Sequence, residues 1–195
     1  MPLDAKEHDE TLKWLAYGPR SSPKSYTGYI VNGQRFHTAS IDWKSQNSGV
    51  YYEATAVCRS SVKDTSQVVD WVSYYGRVTD IILIDYNFFY VPLFRCQWAV
   101  KGNGVKIEDG FTLVNMNHSQ ASFTSDPYIM ASQANQVFYS RENESSNWYI
   151  VMRGPSRRYS TEDIQEGNAE IGPLPTNIDM EVDNDEARTD CEGIY

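Results

Sequence analysis

Apolar residues recur along this chain with a period of two. Phe94, Cys96, Trp98 and Val100 alternate with Arg95, Gln97 and Ala99. Successive side chains of a strand point to opposite faces, so this pattern describes a strand with one buried and one largely wet side. Tyr29-Ile30-Val31 and Gln34-Arg35-Phe36-His37-Thr38 flank Asn32-Gly33. Asn-Gly between two strand-like runs predicts a two-residue hairpin, because a type I′ turn needs positive φ at both central positions. Val50 to Val57 reads as a strand after the turn cluster Gln46-Asn47-Ser48-Gly49. Trp71 to Tyr75 and Val78 to Ile84 give a long β-rich run, with Asp85-Tyr86-Asn87 as a turn. Pro92 cannot donate a ladder hydrogen bond, so it marks a strand start, an edge or a bulge.

Shorter signals follow. Gly102-Asn103-Gly104 is a turn, and Val105 to Ile107 and Phe111 to Asn115 are short strands. Residues 128–134, after Ser125-Asp126-Pro127, fit one helical turn or an irregular crossing. Gln136 to Ser140 and Trp148 to Arg153 make a second hairpin across the polar loop Arg141 to Asn147. Near the start, residues 5–16 fit a short helix with Leu12, Leu15 and Ala16 near one face, or a disordered lead-in. Short strands broken by turn signals every ~8–12 residues imply a mainly β fold. A small antiparallel barrel of SH3-like form is the preferred architecture. A curled sheet with short helical segments, or a sandwich, is the alternative. The organisation expected is a lead-in over 1–24, a β domain over 25–153 and a tail over 154–195.

Composition fits that division. Of 195 residues, 41% are hydrophobic and 13% aromatic, which is ample for a packed core. The net charge is -9, yet Ser160 to Tyr195 alone holds eleven acids against one base, Arg188. Sixteen bases and fifteen acids remain for the rest, so the body is nearly neutral. No aromatic falls between Tyr159 and Tyr195. Such a segment cannot bury enough apolar area to offset an ordering entropy of about 1–2 kcal/mol per residue, so disorder is expected from 154 to 195. A neutral body is not the footprint of a protein that grips nucleic acid by phosphate contacts alone. The acidic, polar first ten residues fit neither a secretory signal nor a transit peptide. No apolar run approaches the ~18 residues of a membrane helix.

Candidate chemistry is sparse. Cys58, Cys96 and Cys191 form no close pair, which fits a reducing compartment, and the first two sit in apolar strand-like runs as small hydrophobes. No Cys-x-x-Cys or close His pair offers a metal site. There is no Gly-x-Ser-x-Gly elbow, and Gly102-Asn103-Gly104 lacks the setting of a phosphate loop. His37 reads as a half-buried structural residue and His118 as a solvated one. Asp80 and Asp85, five apart, would face opposite sides of one regular strand, which argues against a shared metal. Glu108 and Asp109 form another acidic pair. No cofactor is expected, and no enzyme activity. Two features suit partner binding instead. Tyr86, Phe88, Phe89 and Tyr90 could pack in the core, stack on bases or dock a peptide. Arg153, Arg157 and Arg158 form a basic knot that could contact phosphate or fold back onto the acidic tail.

Several ordered motifs together resemble one family. They include Tyr26-Thr27-Gly28-Tyr29-Ile30-Val31-Asn32-Gly33, Tyr74-Tyr75-Gly76-Arg77-Val78-Thr79-Asp80-Ile81 and Leu93-Phe94-Arg95-Cys96-Gln97-Trp98. Gly110-Phe111-Thr112-Leu113-Val114-Asn115 and Ser132-Gln133-Ala134-Asn135-Gln136-Val137-Phe138-Tyr139 continue the likeness, which spans roughly residues 12–153. They resemble the plant domain of unknown function found downstream of the transposase core in CACTA-type (En/Spm) transposable elements. The resemblance implies a transposon origin and a nuclear setting, with the cytoplasm otherwise expected and secretion not. It carries no activity and no catalytic residue across. The expected role is therefore a non-enzymatic interaction module that binds a protein, chromatin or a transposase partner. An accessory nucleic-acid-binding role and a transposon fragment without selected function are the alternatives.

Overall fold

The computed structural model describes residues 5–20, 22–42, 46–58, 68–100, 103–117, 127–141, 145–154 and 188–191. Helix α1 (Ala5–Tyr17) comes first, and Gly18, at φ 82°, ends it. Strands β1 (Lys24–Tyr26), β2 (Gly28–Val31) and β3 (Gln34–His37) follow. β2 and β3 pair as the expected hairpin, with φ of 52° at Asn32 and 69° at Gly33. Both central residues have the positive φ of a type I′ turn.

The centre of the fold is an antiparallel meander. β4 (Gly49–Cys58) pairs with the first half of β5 (Val68–Asp85), and β6 (Tyr90–Trp98) pairs with its second half. β5 is one strand of 18 residues, which takes in the whole of the long β-rich run expected from Trp71 to Ile84. Its ladder with β6 shifts register between Val78 and Asp80, a bulge that lets the strand bend without ending. β1 pairs with β5 beyond the end of β4, and β9 (Tyr128–Met130) pairs with β6. β10 (Asn135–Gln136) pairs with the start of β4. Residues 128–134, expected as one helical turn or an irregular crossing, hold β9 and then the 3-10 turn Ala131–Gln133 before β10.

A second sheet holds β7 (Val105–Glu108), β8 (Phe111–Asn115), β11 (Phe138–Arg141) and β12 (Trp148–Met152) in the order β11-β12-β8-β7. The hairpin of β11 and β12 matches expectation. That of β7 and β8 turns on Asp109 and Gly110, both at positive φ, so Asp109 serves the turn rather than an acidic pair.

The fold is mainly β, but its sheets do not close into a barrel. β5 is too long for either neighbour to cover, so each half is left with different partners. Of the tail, the structure describes Gly154 and Arg188–Cys191, the latter as strand β13 running parallel to β4. The other residues expected to be disordered lie outside the described set. No helix among the described residues is long and apolar enough to cross a membrane.

Two cores flank the central sheet. On one face, Phe36 and Tyr29 of the hairpin pack on Phe94, with ring centroids 5.0 and 6.3 Å away. Tyr52 and Tyr74, opposite each other in the ladder, stack at 5.0 Å, and Trp98 closes on Tyr52 at 5.4 Å. Gly76 permits this approach: a Cβ there would meet the Trp98 ring at 2.7 Å. On the other face, Tyr51 and Ala99 meet Val114, Met116, Val137 and Tyr139, which joins the second sheet to the first.

Candidate functional site

Where the two sheets meet, arginines and tyrosines interleave. Tyr51 and Tyr75 are ladder partners and stack at 5.4 Å. Two residues on, the same strand face presents Arg77. Its guanidinium lies 4.8 Å from the Tyr149 ring centre and 5.5 Å from that of Tyr139. Arg153, just past β12, lies 4.8 Å from the Tyr51 ring centre. Arg141 donates from Nη2 to the Tyr149 hydroxyl at 3.4 Å. Among the described residues, neither Arg77 nor Arg153 pairs with a carboxylate. A guanidinium whose face rests on a ring keeps its N–H edge for an anion.

The tyrosines differ in environment. Tyr139 is buried, and its hydroxyl donates to the Gly76 carbonyl at 2.8 Å, with the Val50 carbonyl at 3.2 Å. Burial pushes its pKa far above the ordinary phenol range. Tyr51 is pushed up to about 12 by burial, then by Glu53 beside it. Tyr149 moves the other way, lowered first by the hydrogen bond from Arg141 and then by Arg77, against burial.

A different surface lies at the far end of the β4–β5 ladder. Val69 is 62% exposed and Trp71 61% exposed. By alternation they share the face that carries Tyr75 and Arg77, beyond the reach of the second sheet. The backbone here has an open side too. The Ala99 N–H donates to the Tyr75 carbonyl at 2.9 Å, so odd-numbered residues of β5 turn their backbone groups away from β4. Past Tyr75 in that direction β6 has ended, and on the side away from β4 no described strand pairs with Ser73, Trp71 or Val69. The Asp70 carboxylate accepts the Trp71 N–H at 2.8 Å, covering one donor of this edge.

The anticipated site residues scatter. Tyr86 stacks on Phe89 at 5.0 Å and 9°, and Phe89 is buried, so these two serve the core. Phe88 and Tyr90 are exposed. The run divides because Asn87 takes φ 70° and its N–H donates to Asp85, which reverses the chain within it. Arg153 joins the seam, while Arg157 and Arg158 lie outside the described residues. Asp80 accepts the Ile81 N–H at the bulge, and Asp85 pairs with Arg20 at 3.6 Å, so both carboxylates serve the backbone or α1's exit. His37 is buried, and among the described residues its Nε2 has no hydrogen-bond partner. Ser48 donates to Asp42 nearby. His118 lies outside the described residues. Sequence reasoning missed Arg77, Arg141 and the four seam tyrosines. The one signal for them is register, since Tyr51 and Tyr75 become neighbours only once β4 and β5 are paired.

Residues 82–151 match a family described as a domain of unknown function (DUF4216). No curated protein matches the chain, and no solved structure does. The matched segment runs from the second half of β5 to β12, so it includes Arg141 and Tyr149 of the seam but not Arg77 or Trp71.

Proposed function

We propose that this chain is a non-enzymatic interaction module of transposable-element origin that binds a protein partner along the outer half of β5. The observation that carries this reading is Trp71 and Val69, exposed side by side on a strand whose outer edge no other described strand covers. A partner strand laid there gains main-chain hydrogen bonds from Val69, Trp71 and Ser73 and an apolar platform for its side chains. Chromatin proteins and a transposase are the partners to try first. The motif resemblance points to a transposable element, and a tail of net -10 suits a basic partner.

The test is a pull-down from nuclear extract with the full chain, a Val69→Asp/Trp71→Asp double variant and an Ile107→Asp control. Ile107 is exposed on the second sheet, away from the proposed edge. The expected result is a specific protein retained by the native chain and the control and lost with the double variant. Equal capture by all three, or none, would overturn the reading.

The seam favours a second reading, nucleic-acid binding, because Arg77 and Arg153 hold guanidiniums beside tyrosine rings, with no carboxylate partner among the described residues. Fluorescence anisotropy with duplex DNA, single-stranded DNA and RNA at two salt concentrations tests it. Binding that weakens with salt and with Arg77→Ala/Arg153→Ala supports it, and absence of binding removes it.

A further inference from the structure

Among the described residues, Trp14 and Trp148 each carry a lysine on the ring, and each lysine is also paired with a carboxylate. Lys13 Nζ lies 5.8 Å from the centre of the Trp14 ring and 3.3 Å from Glu10. Lys106 Nζ lies 4.7 Å from the centre of the Trp148 ring and is ion-paired with Glu108. A cation held between a ring and a carboxylate is attracted by both. Trp98 differs, being buried among the rings of the core. Trp71 has the ring and the carboxylate without the cation. The ladder pairs Thr55 with Trp71 and Glu53 with Ser73, so Glu53 and Trp71 are diagonal neighbours on one face. Such neighbours lie about 7–8 Å apart, close enough for one charged head to touch both side chains. Glu53 is exposed, and its carboxylate accepts the Ser73 hydroxyl at 3.3 Å. Among the described residues, no lysine or arginine pairs with Glu53 or lies over Trp71. Arg153 stays one same-face rung further in, over the Tyr51 ring. Asp70, exposed on the opposite face, has no such cation either.

We propose that the partner at the edge of β5 is an extended segment carrying Lys or Arg, whose charged head seats between the Trp71 ring and the Glu53 carboxylate. This rests on the edge-binding role proposed above and names the chemistry that the partner brings to it. The reach is adequate. A strand laid beside β5 stands two strand spacings from β4, about 10 Å. Lys106 covers the same span, from β7 across β8 to Trp148 on β12. Successive side chains of the added strand alternate between faces, so the residue next to the seated cation faces the Asp70 side. A second cation is favoured there, and an acid at either place meets like charge. The edge and the Trp71 ring thus accept extended segments in general, and Glu53 selects among them by charge.

The test titrates the full chain against fluorescein-labelled peptides of sequence Thr-Val-Thr-Lys-Thr-Val-Thr, with norleucine or Glu replacing the central Lys, and reads anisotropy. The lysine peptide should bind at least about fivefold more tightly than the norleucine peptide, with the glutamate peptide weakest. Glu53→Gln keeps an acceptor for Ser73 and removes the charge. It should bring the lysine peptide down to the affinity of the norleucine peptide, which itself stays unchanged. Glu53→Lys should reverse the order of the lysine and glutamate peptides. Glu53 is exposed, so neither variant disturbs the core. The acidic C-terminal stretch attracts a lysine peptide equally in every variant, so a lysine preference that survives Glu53→Gln would overturn the proposal. Equal binding of all the peptides, lost with Val69→Asp/Trp71→Asp, would overturn the cation site while keeping the edge. Binding of none would also overturn the cation site, and the pull-down would then judge the edge separately.

Discussion

The rungs that pair β4 with β5 pass through two environments. At the inner end, Tyr51–Tyr75 and Tyr52–Tyr74 are covered on both faces, by the second sheet on one side and by Trp98 on the other. At the outer end, Thr55 faces Trp71 and Val57 faces Val69, and no second layer covers Trp71 or Val69. The two ends are about equally apolar in sequence: Val68-Val69-Asp70-Trp71 is no more polar than Val72-Ser73-Tyr74-Tyr75. Burial in this sheet is set by what lies over each face, not by the composition of the strand.

Substitutions sharpen that contrast, beginning with its largest effect. Trp98→Ala empties the inner core between Tyr52 and Tyr74 and should cost about 3–5 kcal/mol of stability. Trp71→Ala, on the uncovered outer end, should stay within about 0.5 kcal/mol. Urea denaturation of both variants measures the difference, and equal costs would break the comparison. Gly76→Ala comes next. The added methyl meets the Trp98 ring at 2.7 Å and the Gln97 carbonyl at 2.8 Å, and overpacking of this kind costs about 1–3 kcal/mol. A thermal melt that matches the native chain would show that the ring yields more readily than its packing implies.

The smallest effect is a pH dependence at the innermost end, where the His37 N–H donates to the Asn47 carbonyl just before β4. Burial, with help from Arg35 and against Asp42, holds the His37 pKa below its ordinary value of 6.5. The unfolded chain therefore takes up this proton first as pH falls. The contribution is fully present above 6.5 and is lost as pH drops from there toward the folded value. Urea midpoints measured between pH 7.5 and pH 5.5 should fall for the native chain and fall less for His37→Gln. Parallel curves would remove His37 as the cause.

Local features of this fold were legible because local chemistry decides them. Asn32-Gly33 announces its hairpin through φ alone, and the alternation from Phe94 to Trp98 announces β6. The turn at Asp109-Gly110 is equally legible, since Asp-Gly favours the same geometry. The long β-rich run from Trp71 to Ile84 announces β5, but not that Gly76 admits the Trp98 ring or that the ladder with β6 bulges between Val78 and Asp80. Arg77, Tyr139 and Tyr149 became a site only through the packing of two sheets, which no window along the chain can display. The place of Arg188–Cys191 beside β4 is likewise a matter of pairing between distant segments, in a stretch whose composition argues against any strand.

The length of β5 also bears on what can be expressed separately. The family match begins at residue 82, inside this strand. A piece cut at those limits keeps β6 but discards β4, the β2–β3 hairpin and the half of β5 that carries Tyr74. Phe94 and Trp98 would then face water where Tyr29, Phe36, Tyr52 and Tyr74 now cover them. The matched segment is thus smaller than the packed unit it belongs to, which among the described residues runs from Lys24 to Gly154.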